Sequence, residues 1–75
     1  MEVNKDIIVI GSDVTERDGI GVEIYQDNKL ILEIFRDDTD RTRIITVYSN
    51  KVSLEDMEHY INIFKQQIPW NFIED

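Results

Sequence analysis

From Ile20 to Tyr48, apolar and polar side chains alternate through three short runs, and Ser53 then opens one segment of helical spacing. A period of two sends one side of each run into a core and the other toward solvent, the signature of strands in an antiparallel sheet. The second strand reads as about 20–25, with Ile20, Val22 and Ile24 on one face. Gln26-Asp27-Asn28 follows as a three-residue turn with Asn28 left-handed, pairing Tyr25 with Lys29. That register sets Ile24 opposite Leu30, Val22 opposite Leu32 and Ile20 opposite Ile34, all on one face, whereas a one-residue slip would scatter them. A charged turn, 36–41, leads to a fourth strand, about 42–48. Pairing Arg36 with Arg41 there adds Ile45 and Val47 to the same face, and Asp37, Asp38 and Asp40 shield the two opposed arginines.

The helix has clear start and stop signals. Ser53 is the N-cap, Asp56 stands at the third helical position, and Val52 with Met57 forms a hydrophobic staple. Leu54, Met57, Ile61, Phe64 and Ile68 recur at steps of three and four as a single stripe, and Pro69 ends the helix near Gln67 or Ile68. Fifteen helical residues at ~1.5 Å match a seven-residue strand at ~3.3 Å, so one helix covers one sheet. Ile7-Ile8-Val9-Ile10 is a further strand, uniformly apolar and therefore expected either to be buried on both faces or to pair in a crowded position. A polar loop, Gly11 to Gly19, follows it. The tail Trp70, Phe72 and Ile73 is expected to fold back onto an open edge of the core. The fold expected is α+β, an antiparallel four-stranded β-meander with one C-terminal helix on one face (ββββα). The alternative places the first strand beside the fourth in a mixed sheet.

Seventy-five residues make one domain, 1–75, near the size at which a core only just outweighs chain entropy. An apolar fraction of 41% beside 32% charged residues fits a globular chain rather than a disordered one. No apolar run reaches the ~20 residues that span a bilayer, and Met1-Glu2-Val3-Asn4-Lys5-Asp6 does not read as a signal peptide. With no cysteine, disulfides, thiolate metal sites and cysteine nucleophiles are excluded, and the expected location is cytoplasmic. A net charge of −8 argues against nucleic acid and against anionic membranes, and leaves a basic protein or a cation admissible.

Antiparallel order brings the 11–19 loop and the 36–41 turn to one end of the sheet. Asp13, Glu16, Asp18, Asp37, Asp38 and Asp40 would then form an acidic rim, which Glu74 and Asp75 approach. Arg17, Arg36, Arg41 and Arg43 are interleaved with these carboxylates and are expected to hold the loops together. The sheet's other face carries Glu23, Tyr25, Ile31, Glu33, Phe35, Ile44, Thr46 and Tyr48, more apolar than an idle face requires. Tyr25, Ile44 and Tyr48 are its candidate contact residues, although aromatic and β-branched residues also suit any strand.

Catalytic signals are weak. His59, the single histidine, falls on the polar side of the helix four residues after Glu55, as a surface pair would. Gly19-x-Gly21 lacks a third glycine and precedes a strand, so it is no dinucleotide loop. Asp37-Asp38-Thr39-Asp40 lacks both the glycine and the bidentate glutamate of a calcium loop. No catalytic residue, cofactor site or metal site is assigned.

The stretch Gly21-Val22-Glu23-Ile24, then Leu32-Glu33-Ile34-Phe35-Arg36-Asp37-Asp38, then the strand and the helix from Ser53 to Pro69, resembles a pattern in short uncharacterised bacterial single-domain proteins. The resemblance covers roughly residues 20 to 70 and implies a bacterial, cytoplasmic protein; it lends no functional residues. The residues themselves point to a non-catalytic protein-binding module, most sharply an acidic inhibitor or immunity-type protein for a basic partner such as a nuclease toxin. The alternatives are a homodimer through the open sheet face and a divalent-cation binder.

Overall fold

The computed structural model of the protein describes residues 6–13 and 18–73, with Asp13 described by its backbone alone. Four strands, β1 (Ile7–Asp13), β2 (Gly19–Gln26), β3 (Lys29–Asp37) and β4 (Thr42–Val47), form one sheet in the order β1-β2-β3-β4, antiparallel throughout. The helix α1 (Leu54–Gln67) follows. This is the ββββα meander, with β1 beside β2 rather than β4.

Both hairpin registers differ from expectation by two residues. The β2–β3 turn has two residues rather than three: Asp27 and Asn28 are both left-handed, with φ of 51° and 66°, and Gln26 pairs with Lys29. Such a primed turn matches the twist of the strands it joins. The register then steps over Ile31, a β-bulge between the pairs Tyr25–Leu30 and Ile24–Leu32. Val22 consequently faces Ile34, and Ile20 faces Arg36. The bulged Ile31 packs against the core instead of the open face, and its carbonyl accepts the amides of Tyr48 (2.8 Å) and Ser49 (3.3 Å). Across β3–β4, Arg36 pairs with Arg43 rather than Arg41, and Leu32 with Val47, because the four-residue turn lies one position later, at 38–41 rather than 37–40, with Arg41 left-handed (φ 56°) at its end. A two-residue offset preserves side-chain parity, so Ile45 and Val47 still share a face with Leu32 and Ile34.

Val22, Ile24, Leu32 and Ile34 of the two central strands meet Tyr60 and Phe64 of the helix and Ile68 at its C-cap. Ser53 caps it, its Oγ accepting the Asp56 amide at 3.0 Å, and the staple residues Val52 and Met57 pack against the core. The buried stripe is rotated from the expected one. Leu54 is exposed, whereas Tyr60 is buried to the ring, and its hydroxyl donates to Asp6 Oδ2 (2.8 Å) and accepts from Gln26 Nε2 (3.1 Å). Burial, and then Asp6, push the Tyr60 hydroxyl up from 10.0 to about 12. A raised pKa favours the neutral phenol of the fold, so its contribution is complete below about pH 10 and is lost as pH rises through about 12. Tyr60→Phe should remove that alkaline loss. Spectrophotometric titration at ~295 nm should then lose its last-ionising tyrosine; a high-pH limb that survives the substitution would assign it elsewhere.

A helix about 10 Å across covers only two strands spaced ~4.8 Å apart. The aliphatic side chains of β1 and β4 on the helix side are therefore left partly in water, Ile8 at 39% and Ile45 at 41% exposure. The expectation that Ile7 to Ile10 is buried on both faces is corrected: all four are exposed along an edge.

The opposite face is closed at one point. Phe35 is buried, and Gly21 lies directly across from it. A Cβ at Gly19 would stand 2.9 Å from Phe35 Cε2, and one at Gly21 3.0 Å from Cδ1. The aromatic ring thus occupies the space the two glycines leave empty. Gly19, expected to end a loop, is the first residue of β2 and pairs with both Asp13 and Asp37.

Candidate acidic interface

Strand registers gather the loop end of the sheet. Asp13 pairs with Gly19, Gly19 with Asp37 and Asp37 with Thr42, while the Asp38 amide donates to the Asp18 carbonyl at 2.7 Å. Loop and turn are therefore tied together where the charge pattern places an acidic rim. Glu16 and the side chain of Asp13 lie outside the described residues, as do Arg17, Glu74 and Asp75.

The rim carboxylates divide by role. Asp37 is buried, and its Oδ1 accepts the amides of Thr39 and Asp40, both at 3.0 Å, which shapes the turn. Asp38 is bidentate to Arg36, with Nε–Oδ1 at 2.9 Å and Nη2–Oδ2 at 3.2 Å, and Oδ1 also accepts the Ile73 amide at 3.1 Å. Burial alone would raise the Asp38 carboxyl, but the bond and charge of Arg36, the Ile73 amide and the charge of Arg41 hold it below the usual range. Asp18 and Asp40 are the rim carboxylates that face solvent among the described side chains.

Arg36 and Arg43, opposed across β3 and β4, point the same way and together grip the tail. Arg36 Nη1 donates to the Pro69 carbonyl and Arg43 Nη2 to the Trp70 carbonyl, each at 2.6 Å. The Arg43 guanidinium lies 3.6 Å from the Trp70 ring centroid and 4.3 Å from that of Phe72, with its Nε buried and without an acceptor. The tail does fold back onto the sheet, but through Arg36 and Arg43 rather than by burying its apolar side chains: Trp70 and Ile73 stay half exposed or more. Position 36 has the parity of Leu32 and Ile34, so the inward placement of Arg36 was available from the strand pattern. Tyr60, three residues after Met57 and four before Phe64, was equally available from helical spacing.

The candidate contact residues of the open face are dispersed. Tyr25 is half-buried beside Glu23, its hydroxyl 3.4 Å from Glu23 Oε1, and desolvation and that carboxylate raise its pKa. Ile44 and Tyr48 are exposed on and just beyond the outer strand. Between them Glu33 is buried and sits directly opposite Glu23.

Among the described residues no group of three or more histidine, cysteine or acidic side chains converges as a metal ion requires. The calcium-like turn has already committed Asp37 and Asp38 to amides and to Arg36. A cavity of about 350 Å³ under the tail is walled by Ile20, Pro69 and Ile73, and the Arg36–Asp38 pair at its side is bonded to the tail backbone at Pro69 and Ile73. His59 is exposed on the helix. Among the described residues no helix is long and apolar enough to cross a membrane. Comparison with known protein families, curated proteins and solved structures returns no match.

Proposed function

We propose that this chain is a non-catalytic protein-binding module, an inhibitor- or immunity-type protein that caps a basic partner with the acidic end of its sheet. The observation that carries the reading is the division of labour at that end. Asp37 and Asp38 are spent on shaping the turn and clamping Arg36, which leaves Asp18 and Asp40 presented from a braced backbone. Carboxylates presented from a turn that is already held in place lose less entropy on binding. The net charge of −8 would steer a basic surface toward it and fix its orientation. A cytoplasmic location goes with this reading of a cysteine-free chain.

The test is capture from a lysate of the encoding organism on tagged wild type and on Asp18→Lys/Asp40→Lys, at low and high salt, read by mass spectrometry. The expected result is a basic protein held by wild type at low salt and lost at high salt. The double variant should bind it roughly ten- to a hundredfold more weakly, as for rim charges in steered complexes. A captured partner indifferent both to salt and to these two residues would overturn the reading.

A further inference from the structure

We propose that the protein self-associates through the bare edge of β1, two copies joining into one continuous eight-stranded antiparallel sheet. Among the described residues β1 pairs only with β2, so no described strand meets the alternate N–H and C=O groups along its outer side. Ile7, Ile8, Val9 and Ile10 along it are 39–52% exposed. Protected edges carry lysine, proline, a bulge or an inward charge. Between Ile7 and Ser12 there is none of these, and the register with β2 runs unbroken to Asp13. The β4 edge, by contrast, is short and carries Arg43, whose side chain holds the tail.

Charge selects the occupant. Residues 7–12 are uncharged, so a basic partner gains nothing there, while a chain of net charge −8 meets its own copy at the segment where no carboxylates oppose. Asp6, at the near end, accepts a hydrogen bond from Tyr60 of its own helix. The open sheet face is a poorer self-contact, because stacking two copies there would bring both Glu23–Glu33 pairs together.

Symmetry then selects the register. Two antiparallel edge strands related by a two-fold axis must have that axis normal to the sheet, through one residue and its own mate. Centring on Val9 opposes Ile8 to Ile10, Ile7 to Gly11 and Asp6 to Ser12. Centring on Ile10 would oppose Ile7 to Asp13, and centring on Ile8 would oppose Ile10 to Asp6. The Val9 register alone leaves every aliphatic residue facing an uncharged one. It puts both helices on the same face, flanking a strip made by Ile8 and Ile10 of the two copies. A single edge ladder is a small contact, below the ~1,200 Å² of standard interfaces, so the dimer should dissociate in the micromolar range.

Sedimentation equilibrium from micromolar to millimolar protein, at low and high salt, tests this directly. Association should strengthen with salt, which screens two like-charged chains, the opposite of the salt dependence expected for a basic partner at the rim. Val9→Lys opposes two lysines on the axis and should weaken association tenfold or more. It should leave the circular dichroism spectrum unchanged, since Val9 lies directly across from Glu23. The chain has no cysteine, so Val9→Cys reports the axis itself. Opposed antiparallel residues lie ~4.5–5.5 Å apart at Cα, within disulfide range. Val9→Cys should therefore cross-link on mild oxidation, and Ile44→Cys should not. Wild type that stays monomeric at millimolar concentration, or cross-linking at Ile44 in preference to Val9, would overturn the proposal.

Discussion

Gly21→Ala is expected to destabilise the protein by ~2–4 kcal/mol, at and above the usual range for overpacking a filled core. An added methyl would run into the Ile34 carbonyl, the Phe35 backbone and the Phe35 ring at once. Two of those three neighbours are main chain within a paired strand, so they cannot rotate aside. A domain of this size has only about 5–15 kcal/mol of stability in all, and small ones lie toward the lower end. The melting temperature should accordingly fall by on the order of 10 °C or more. Gly21→Val should leave little folded protein. Gly11 provides the control, because nothing lies within 4 Å of the Cβ it lacks. Gly11→Ala should be neutral or slightly stabilising, through the smaller entropy of its unfolded chain. Urea denaturation followed by circular dichroism gives both values. Equal losses at the two glycines would mean that the Phe35 packing is not what requires Gly21.

The second large effect is expected at Arg36. It is buried beside a carboxylate that is itself almost fully covered, and it holds the Pro69 carbonyl. Removing one member of such a pair strands the other, so Arg36→Ala should cost ~3–5 kcal/mol. Arg36→Met with Asp38→Asn removes both charges and keeps the volume, and should recover much of the loss. Trp70, the chain's one tryptophan, reports the tail. Its emission should change in Arg36→Ala and also in acid. The folded Asp38 carboxyl lies below its ordinary pKa, so its contribution is complete above about pH 4 and lost as pH falls through the lower folded value. A double variant as unstable as Arg36→Ala would show that the stranded charge is not the cause. Trp70 emission unchanged in every variant would show that Arg36 does not hold the tail.

Much of this architecture is legible in one dimension because its causes are local. Side-chain parity places Ile20, Val22, Ile24, Leu32, Ile34, Ile45 and Val47 on one face whichever even register is adopted. Ser53, Val52, Met57 and Pro69 set the limits of the helix through contacts only a few residues long. Registers are less local. The two-residue turn and the bulge at Ile31 together shift one ladder by two, a one-position displacement of the four-residue turn shifts the other by two, and the apolar pattern of the later pairs looks the same before and after such a shift. What each residue faces is therefore hidden even where its side is plain, and Arg36 comes to oppose Arg43 rather than Arg41.

That Asp18, Asp37, Asp38 and Asp40 gather at one end of the sheet was legible, but not which of their carboxylates are available. Antiparallel order alone brings Asp18 and Asp40 to the same end, whereas the consumption of Asp37 by amides and of Asp38 by Arg36 depends on the three-dimensional turn. Periodicity, capping and charge, which act over a few residues, determined the strands, the helix and the sign of the surface from sequence alone. Coverage was decided only in the tertiary structure. One helix is wide enough for two strands, so it buries β2 and β3 and leaves the equally apolar β1 at the edge, a result of where α1 comes to rest rather than of anything written in Ile7 to Ile10.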